Sequence, residues 1–314
     1  MTRGEGAAGG PRSAVRHHIH LALAVTALAC GAAPTPPGPV PTRAPAPKAT
    51  ATAAPAPTLS EWRPASFGHV MVPSPIEGDS VDVIFHFHVG KSAEPEYRAS
   101  GVRAVVAAAS HGLFASSYSQ AYEDKARFPE IEGEVLSLLK EESGNASLRI
   151  DRIALIAWSA GYGAIRKILA AQDDPRIDAV VLLDGIHSPY LGNPSAKKPD
   201  MRSVSSLVRF AEAAARGEKL MVVTHSAIQT VGYANTTETT TALLALAGAS
   251  RETLATPLPA PGGLELASQA DRGDFHVRGY GGDDKGAHVA HLRLLEGILR
   301  EHLVPRWARP AATR

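Results

Sequence analysis

The stretch "IALIAWSAGYGAIRKIL", residues 153–169, joins an apolar segment to one with helical periodicity. Its first half is apolar without interruption, which is typical of a strand buried on both faces. In its second half Ile165, Ile168 and Leu169 recur at spacings of three and four, which indicates an amphipathic helix. Ser159 stands at the junction between small residues. The pattern therefore predicts a strand-to-helix turn that presents a serine hydroxyl.

The same alternation of apolar and helical segments continues on both sides of this turn. Strands are predicted at 81–89, 102–110, 150–158, 177–184, 219–225 and 275–280. Helices are predicted at 128–142, 161–171, 203–218, 236–249 and 287–303. Apolar strands separated by helices indicate the α/β fold class, with a mostly parallel, doubly wound sheet flanked by helices. In such sheets, chemistry gathers at the carboxyl ends of the strands.

The composition excludes some classes of partner. The chain has 32 basic and 31 acidic residues, and only 5% of its residues are aromatic. It has neither the basic patch nor the aromatic platform that nucleic-acid binding requires, so no nucleic-acid partner is expected. Its 314 residues fit one large α/β domain with appendages.

The first thirty residues have the layout of an export signal. A start with three arginines precedes the apolar stretch "LALAVTALA" at 21–29, which is shorter than the roughly 20 residues of a membrane-spanning helix. This layout is typical of a secretory signal peptide. The following "ALACG" at 27–31 resembles a bacterial lipobox, in which the cysteine, here Cys30, becomes the lipidated first residue. Ordinary cleavage beside an incidental cysteine is the alternative.

Pro, Ala and Thr dominate residues 31–60. Such a segment cannot bury enough apolar surface to offset its ordering entropy, so an extended tether is expected. The predicted organisation is a signal peptide at 1–29, the lipidated cysteine and a linker at 30–60, and a folded domain at 61–314. The expected location is the cell envelope of a bacterium, with the folded domain held to a membrane by the lipid.

The turn "AWSAG" at 157–161 resembles the G-x-S-x-G nucleophile elbow of the α/β-hydrolase family. The resemblance covers about residues 66–305, and the residues two before and two after Ser159 are small, as the elbow requires. It implies acyl transfer to water by a serine nucleophile, with a small-molecule carboxylic ester as substrate and amides second. It implies no metal or organic cofactor. It also implies that the acid and the histidine follow the serine in that order.

In the family, the histidine base follows the last strand. His288 lies at the start of the final predicted helix and is the preferred base, with His291 as the alternative. Asp184 ends the strand at 177–184 and is the preferred acid, since the segment after 219–225 brings no prompt carboxylate. The alternative role for Asp184 is to cap a turn before Gly185.

An oxyanion hole needs two backbone N–H groups aimed at the developing charge. The resemblance implies that Ala160 supplies one and that Val89 or Gly90, in the turn after the first predicted strand, supplies the other. Between 184 and 203 the chain has little room for a cap domain, so a small cap or none, and an open pocket, are expected.

The sequence also permits two hypotheses other than a serine hydrolase. His86 and His88 are two apart on a predicted strand, so their side chains project to one face. With a His or Asp from other strand ends they would form a metal-dependent hydrolase, since imidazole is a common zinc ligand. The third reading is a tethered binding protein that keeps the hydrolase fold without activity.

Overall fold

The computed structural model describes residues 58–308. The predicted signal peptide, Cys30 and most of the predicted linker lie outside the described residues. Thr58–Leu59 pairs with Pro73–Ser74, so the described fold begins three residues before the predicted boundary at 61. Within residues 58–308, no helix has the length and apolar character needed to cross a bilayer.

A ten-stranded sheet forms the centre of the fold. Its strands are β1 (Arg63–Ala65), β2 (Gly68–Met71), β3 (Ser80–Phe87), β4 (Val105–Ala109), β5 (Arg149–Trp158), β6 (Ile177–Leu183), β7 (Leu220–His225), β8 (Glu252–Ala260), β9 (Leu264–Arg272) and β10 (Phe275–Tyr280). Their spatial order is β1-β2-β4-β3-β5-β6-β7-β10-β9-β8. The six strands from β4 to β10 in this order are parallel, and they are the six predicted strands. The prediction of a mostly parallel sheet is confirmed.

The four outer strands were not predicted, and all of them pair antiparallel. β8 shows why, because its side chains are mostly exposed and it contains two prolines. Proline and exposed polar residues are tolerated at a sheet edge, where one side of the strand has no partner to bond. Edge strands of this kind lack the apolar run by which the central strands are recognised.

Nine helices lie in the described part of the chain. They are α1 (Glu94–Ser100), α2 (Ala115–Ala121), α3 (Arg127–Ser143), α4 (Tyr162–Ala171), α5 (Ser205–Ala215), α6 (Thr236–Leu246), α7 (Lys285–Ala290), α8 (Leu295–Ile298) and α9 (Val304–Trp307). Short 3-10 turns occupy Gly90–Ala93, Ser159–Gly161, Pro194–Ala196, Met201–Val204, Pro261–Gly263 and His291–Leu294, and Leu299–Leu303 is a π-helical turn. Ser188–Pro189 pairs with Tyr233–Ala234 as a small separate sheet. The single helix predicted at 287–303 is thus a segment of several helical turns.

The sheet is buried on both faces. Neighbouring residues of β3 point to opposite sides: Phe85 joins a core with Phe128 and Ile165 from α3 and α4. Ile84 joins the other core, with Tyr97 of α1 and Leu299 of the C-terminal segment. Helices therefore cover both faces, as a doubly wound sheet requires.

The strand order places a topological switch at β3. The next strand in sequence, β4, lies on one side of β3, and the following one, β5, lies on the other. Ligands of open α/β sheets bind in the crevice outside the carboxyl ends of the strands at such a switch. The turns after β3 and β5 are therefore where a site is expected.

Candidate active site

Ser159 follows β5 directly and has a positive φ of 51°. This left-handed conformation is uncommon for a residue with a Cβ, and it turns the chain sharply from the strand into the helix. The small flanking residues are required by packing: Ala157 is fully buried, and a Cβ on Gly161 would overlap the carbonyl oxygen of Phe87. The turn therefore has the strand, the helix and the strained serine that the elbow resemblance implies.

The serine begins a chain of hydrogen bonds. Ser159 Oγ lies 2.8 Å from His288 Nε2, within reach for its hydroxyl to donate to that nitrogen. His288 Nδ1 lies 2.6 Å from Asp184 Oδ2 and donates to this carboxylate. The structure therefore brings together the three residues that the sequence names as nucleophile, base and acid, from β5, α7 and the end of β6.

Asp184 is almost completely buried, with 2% of its surface exposed. Its second oxygen, Oδ1, accepts from the Ser226 N–H at 2.8 Å and from the hydroxyls of Ser226 and Thr236, each at 3.0 Å. Burial acts to raise the pKa of Asp184, but the hydrogen bond from His288, the nearby His291 and the hydrogen bond from the Ser226 N–H outweigh it and lower the pKa below its ordinary value. Asp184 is thus an ionised carboxylate that faces the imidazole of His288.

His291, the alternative base, occupies a different environment. Its Nδ1 lies 2.7 Å from Thr224 Oγ1, and its ring packs edge-on against Tyr280. Burial lowers the pKa of His291 to about 4. It has no bond to Ser159, so the geometry favours His288 as the base.

The turn after β3 lies beside the nucleophile turn. His88 and Val89 have positive φ values of 71° and 50°, and the ring of His88 stacks on Trp158 with centroids 5.1 Å apart. Ala160 lies in the first helical turn after the serine, where backbone N–H groups have no intrahelical acceptor. The structure thus places Ala160, the first predicted donor, in a turn adjacent to Val89 and Gly90, the two candidates for the second. Their role in an oxyanion hole stays a prediction.

The histidine pair proposed for a metal has other partners. His86 Nδ1 lies 2.7 Å from the Tyr97 hydroxyl, and His88 Nδ1 lies 2.9 Å from the Tyr118 hydroxyl. Burial lowers the pKa of His86 to about 3. Across residues 58–308, no three His, Cys, Asp or Glu side chains are grouped so that they could hold a metal ion. The described residues therefore do not supply the third ligand that a metal site built on His86 and His88 would need.

Two cavities meet at Ser159. The larger, of about 850 Å³, runs along α2 and α4 and is bordered by the exposed side chains of Leu113 and Phe114. The smaller, of about 370 Å³, is lined by His288 and Asp184. The segment between β6 and α5 contains only a two-residue strand, Ser188–Pro189, which lines the larger cavity, and two short 3-10 turns. This agrees with the expectation of a small cap or none.

Sequence reasoning missed the residues that support Asp184 and His288. Ser226 and Thr236 follow β7 and begin α6, and both donate to Asp184. The indole N–H of Trp158 donates to the backbone carbonyl of His288 at 2.9 Å. The position of Ser226 directly after a predicted strand is the one signal that the sequence offered.

No sequence family and no curated protein matches the chain. Solved structures do: an S-formylglutathione hydrolase from Agrobacterium tumefaciens is 13% identical with a TM-score of 0.42, over 74% of this chain and 87% of that one. A cold-adapted esterase from an Arctic intertidal metagenomic library is 14% identical with a TM-score of 0.40, over 75% and 87%. The zinc-bound structure of such an esterase is 12% identical with the same TM-score, over 75% and 86%.

The described part of the chain has the α/β-hydrolase fold. Its own strand order, the helices on both faces and the serine turn after β5 define that fold. The fold class predicted from the sequence is confirmed, and the resemblance to the α/β-hydrolase family is confirmed for the fold.

Proposed function

We propose that the protein is a serine hydrolase that cleaves carboxylic esters through a covalent acyl-enzyme. One observation carries the proposal: the continuous hydrogen-bonded chain from Ser159 through His288 to Asp184, which starts at a strained strand-end serine. A serine hydroxyl is a weak nucleophile until an adjacent base takes its proton. This chain supplies the base and orients it.

In the proposed first step, Ser159 Oγ attacks the ester carbonyl while His288 Nε2 takes the hydroxyl proton. The carbonyl oxygen becomes an oxyanion, for which the N–H of Ala160 and one from Val89 or Gly90 are the proposed donors. Asp184 holds the tautomer of His288 and stabilises the imidazolium. The tetrahedral intermediate then breaks its bond to the alcohol oxygen, which receives the proton from His288. A water molecule repeats the sequence on the acyl-enzyme and releases the acid.

The proposed proton transfer assigns a different part of the ester to each cavity. The leaving alcohol must lie next to His288, which protonates it. His288 lines the smaller cavity and is absent from the lining of the larger one. The smaller cavity therefore suits the alcohol, and the larger cavity, lined by Ala160 and Tyr162, suits the acyl group.

A fluorophosphonate probe tests the proposal, because it reacts covalently with activated serines. We expect the purified protein to be labelled, the Ser159→Ala variant to be unlabelled, and labelling to survive EDTA. Unlabelled protein that is well folded would contradict an activated serine. Ester hydrolysis abolished by EDTA would point instead to the metal reading with His86 and His88, and no hydrolysis to a binding protein.

We also propose that the protein is an exported bacterial lipoprotein, tethered to a membrane through Cys30. The basic start, the short apolar stretch and the "ALACG" sequence support this proposal. Metabolic labelling with an alkyne fatty acid tests it in bacterial cells. We expect the full chain to be labelled and to sediment with membranes, and the Cys30→Ala variant to lose the label. Label retained by the variant would contradict the proposal.

A further inference from the structure

The larger cavity contains a cation without an anionic partner. Arg166 lies on α4 and lines this cavity together with Ser159. Its guanidinium donates to the Ser203 carbonyl at 3.0 Å and to the Ser119 hydroxyl at 2.9 Å. Both acceptors are neutral, and no carboxylate among residues 58–308 forms an ion pair with Arg166. Since a guanidinium has five N–H donors, donors remain for another acceptor.

Its neighbour on the helix shows the opposite arrangement. Lys167 also lines the cavity, but its ammonium pairs with Glu123 at 3.2 Å, so its charge is already balanced. Arg166, by contrast, lines the cavity without such a partner. Burial raises the pKa of the Tyr162 hydroxyl, and the positive charge of Arg166 acts against that rise. Arg166 is therefore the unbalanced charge of this lining.

Ser159 lies in the 3-10 turn Ser159–Gly161, which leads directly into α4. Arg166 lies four residues after Tyr162, the first residue of α4, on the same helix face and about 6 Å further along the helix. Tyr162 lines the same cavity. An acyl chain bonded to Ser159 can thus follow Tyr162 and end at the guanidinium.

We propose that the acyl group of the substrate carries a carboxylate at its far end, which Arg166 binds. The inference rests on the proposed ester hydrolysis and on the assignment of the larger cavity to the acyl group. A carboxylate accepts from a guanidinium through two parallel bonds, and such charge-assisted bonds are among the strongest in proteins. The substrate class is therefore a half-ester of a dicarboxylic acid, with the alcohol in the smaller cavity.

Matched pairs of esters test this inference. We would measure kcat/KM for the mono-4-nitrophenyl esters of adipic and suberic acid against 4-nitrophenyl hexanoate and octanoate, which have the same chain lengths without the carboxylate. Diacids of four and five carbons are avoided because their half-esters cyclise without an enzyme. The measured quantity is the ratio of kcat/KM, carboxylate ester over neutral ester. Because both esters use the same triad, a general loss of folding cancels in this ratio.

In the wild-type protein we expect the ratio to exceed one for at least one of the two chain lengths. The Arg166→Gln variant should lower that ratio by about 10- to 100-fold, the range for lost hydrogen bonds to a charged group. Arg166→Lys, which keeps the charge without the fork, should lower it less. The double variant Glu123→Gln/Lys167→Gln is the matched control, because it removes a second cation of the lining together with its paired carboxylate. The net charge of the lining then stays the same, and the ratio should stay within about twofold of the wild type.

Three outcomes would overturn the inference. The first is a wild-type ratio at or below one for both chain lengths. The second is an unchanged ratio in Arg166→Gln, and the third is an equal fall in the double variant Glu123→Gln/Lys167→Gln. In all three cases the neutral esters are still hydrolysed, so the proposed function survives. Neither ester being hydrolysed by the wild type would overturn the proposed function as well.

Discussion

Two successive turns of the C-terminal segment place a histidine in opposite surroundings. In α7, His288 has 24% of its side chain exposed and bonds to Ser159 and Asp184. One turn later, in His291–Leu294, the His291 side chain is fully buried and bonds to Thr224 beneath the site. The first histidine meets the cavity, whereas the second meets the sheet.

The difference shows that surroundings, not residue type, decide which histidine can act as a base. A general base works best when its pKa lies near the operating pH. Burial lowers the pKa of His291 to about 4, which makes it a poor proton acceptor at neutral pH. His291 is still linked to the site, because Thr224 Oγ1, which bonds to His291, also accepts from the Asp184 N–H at 3.2 Å. His291 thus packs under the strand end that holds Asp184.

Replacing each histidine in turn gives the largest expected effects. We expect His288→Ala to lower kcat by about 10⁴- to 10⁶-fold, since removing the proposed base leaves only binding and the proposed oxyanion donors. We expect His291→Ala to keep kcat within about tenfold. Its cost falls on stability instead, by about 2–4 kcal/mol, because a buried ring leaves a cavity. Ester kinetics and urea unfolding of both variants measure the two effects.

If His291→Ala loses as much activity as His288→Ala at full stability, the different roles assigned to the two histidines are wrong. His291 would then belong to the reaction rather than to the support of the strand end. Matching losses of stability and activity in both variants would instead show that the two turns act as one structural unit.

The next effect concerns Asp184, the proposed acid. Asp184→Asn should lower kcat by about 10⁴-fold, because an amide cannot hold the tautomer of His288 or stabilise the imidazolium. The amide also replaces one acceptor oxygen with a donor among the hydroxyls of Ser226 and Thr236. Single-turnover kinetics of acyl-enzyme formation check this. A loss of less than tenfold would mean that another carboxylate orients His288.

The pKa of His291 predicts a pH dependence of stability. Its folded value of about 4 is below the ordinary 6.5, so between pH 6.5 and 4 the unfolded state binds the extra proton. The free energy of unfolding therefore falls as the pH falls through this window, by up to about 1.4 kcal/mol per pH unit for this one residue. His225 and His302, both with a pKa lowered to about 4, add to the slope.

Urea unfolding of the wild type and of His291→Ala across this window measures the slope. The slope corresponds to the number of extra protons that the unfolded state binds. We expect His291→Ala to lower this number by up to one. Ser159→Ala removes no group that titrates in this window and should keep the wild-type slope. Equal slopes in the wild type and His291→Ala would mean that His291 takes up its proton as readily in the folded state as in the unfolded state.

The sequence predicts the centre of this fold because the information there is local. Strands buried on both faces are continuous apolar runs, and Ser159 is recognised by the small residues beside it. The outer strands β1, β2, β8 and β9 depend on pairing between segments and show no such run. For the same reason the sequence left His288 and His291 as alternatives: both lie on one helical pattern, and only packing against Tyr280 and Thr224 separates them.

Contacts between side chains of different elements also could not be predicted from the sequence. Ser226 and Thr236 bond to Asp184 across 42 and 52 residues of sequence. Arg166 is an ordinary polar position of an amphipathic helix when the sequence alone is considered. It becomes a candidate for substrate binding only in the folded protein, where α2 packs against α4 and leaves a cavity along that helix face.

The smallest expected effect concerns Trp158, which holds His288 in place from the side of β5. Its indole N–H donates to the His288 carbonyl at 2.9 Å, and its ring lies 4.6 Å from the imidazole centroid to centroid. Trp158→Phe keeps an aromatic ring and removes the hydrogen bond, which is worth about 1 kcal/mol. We therefore expect kcat to fall by roughly 3- to 10-fold with an unchanged KM, since the alcohol and acyl cavities stay intact.

Trp62→Phe is the matched control, because Trp62 packs on the α1 face of the sheet and its indole has no hydrogen-bond partner among the described residues. We expect this control to keep the wild-type kcat. If Trp158→Phe also keeps it, α7 holds His288 without help from β5. If kcat falls in Trp158→Phe alone, His288 is positioned by the strand that leads into Ser159. His291, which has no such contact to β5, would then differ from His288 in its support as well as in its burial.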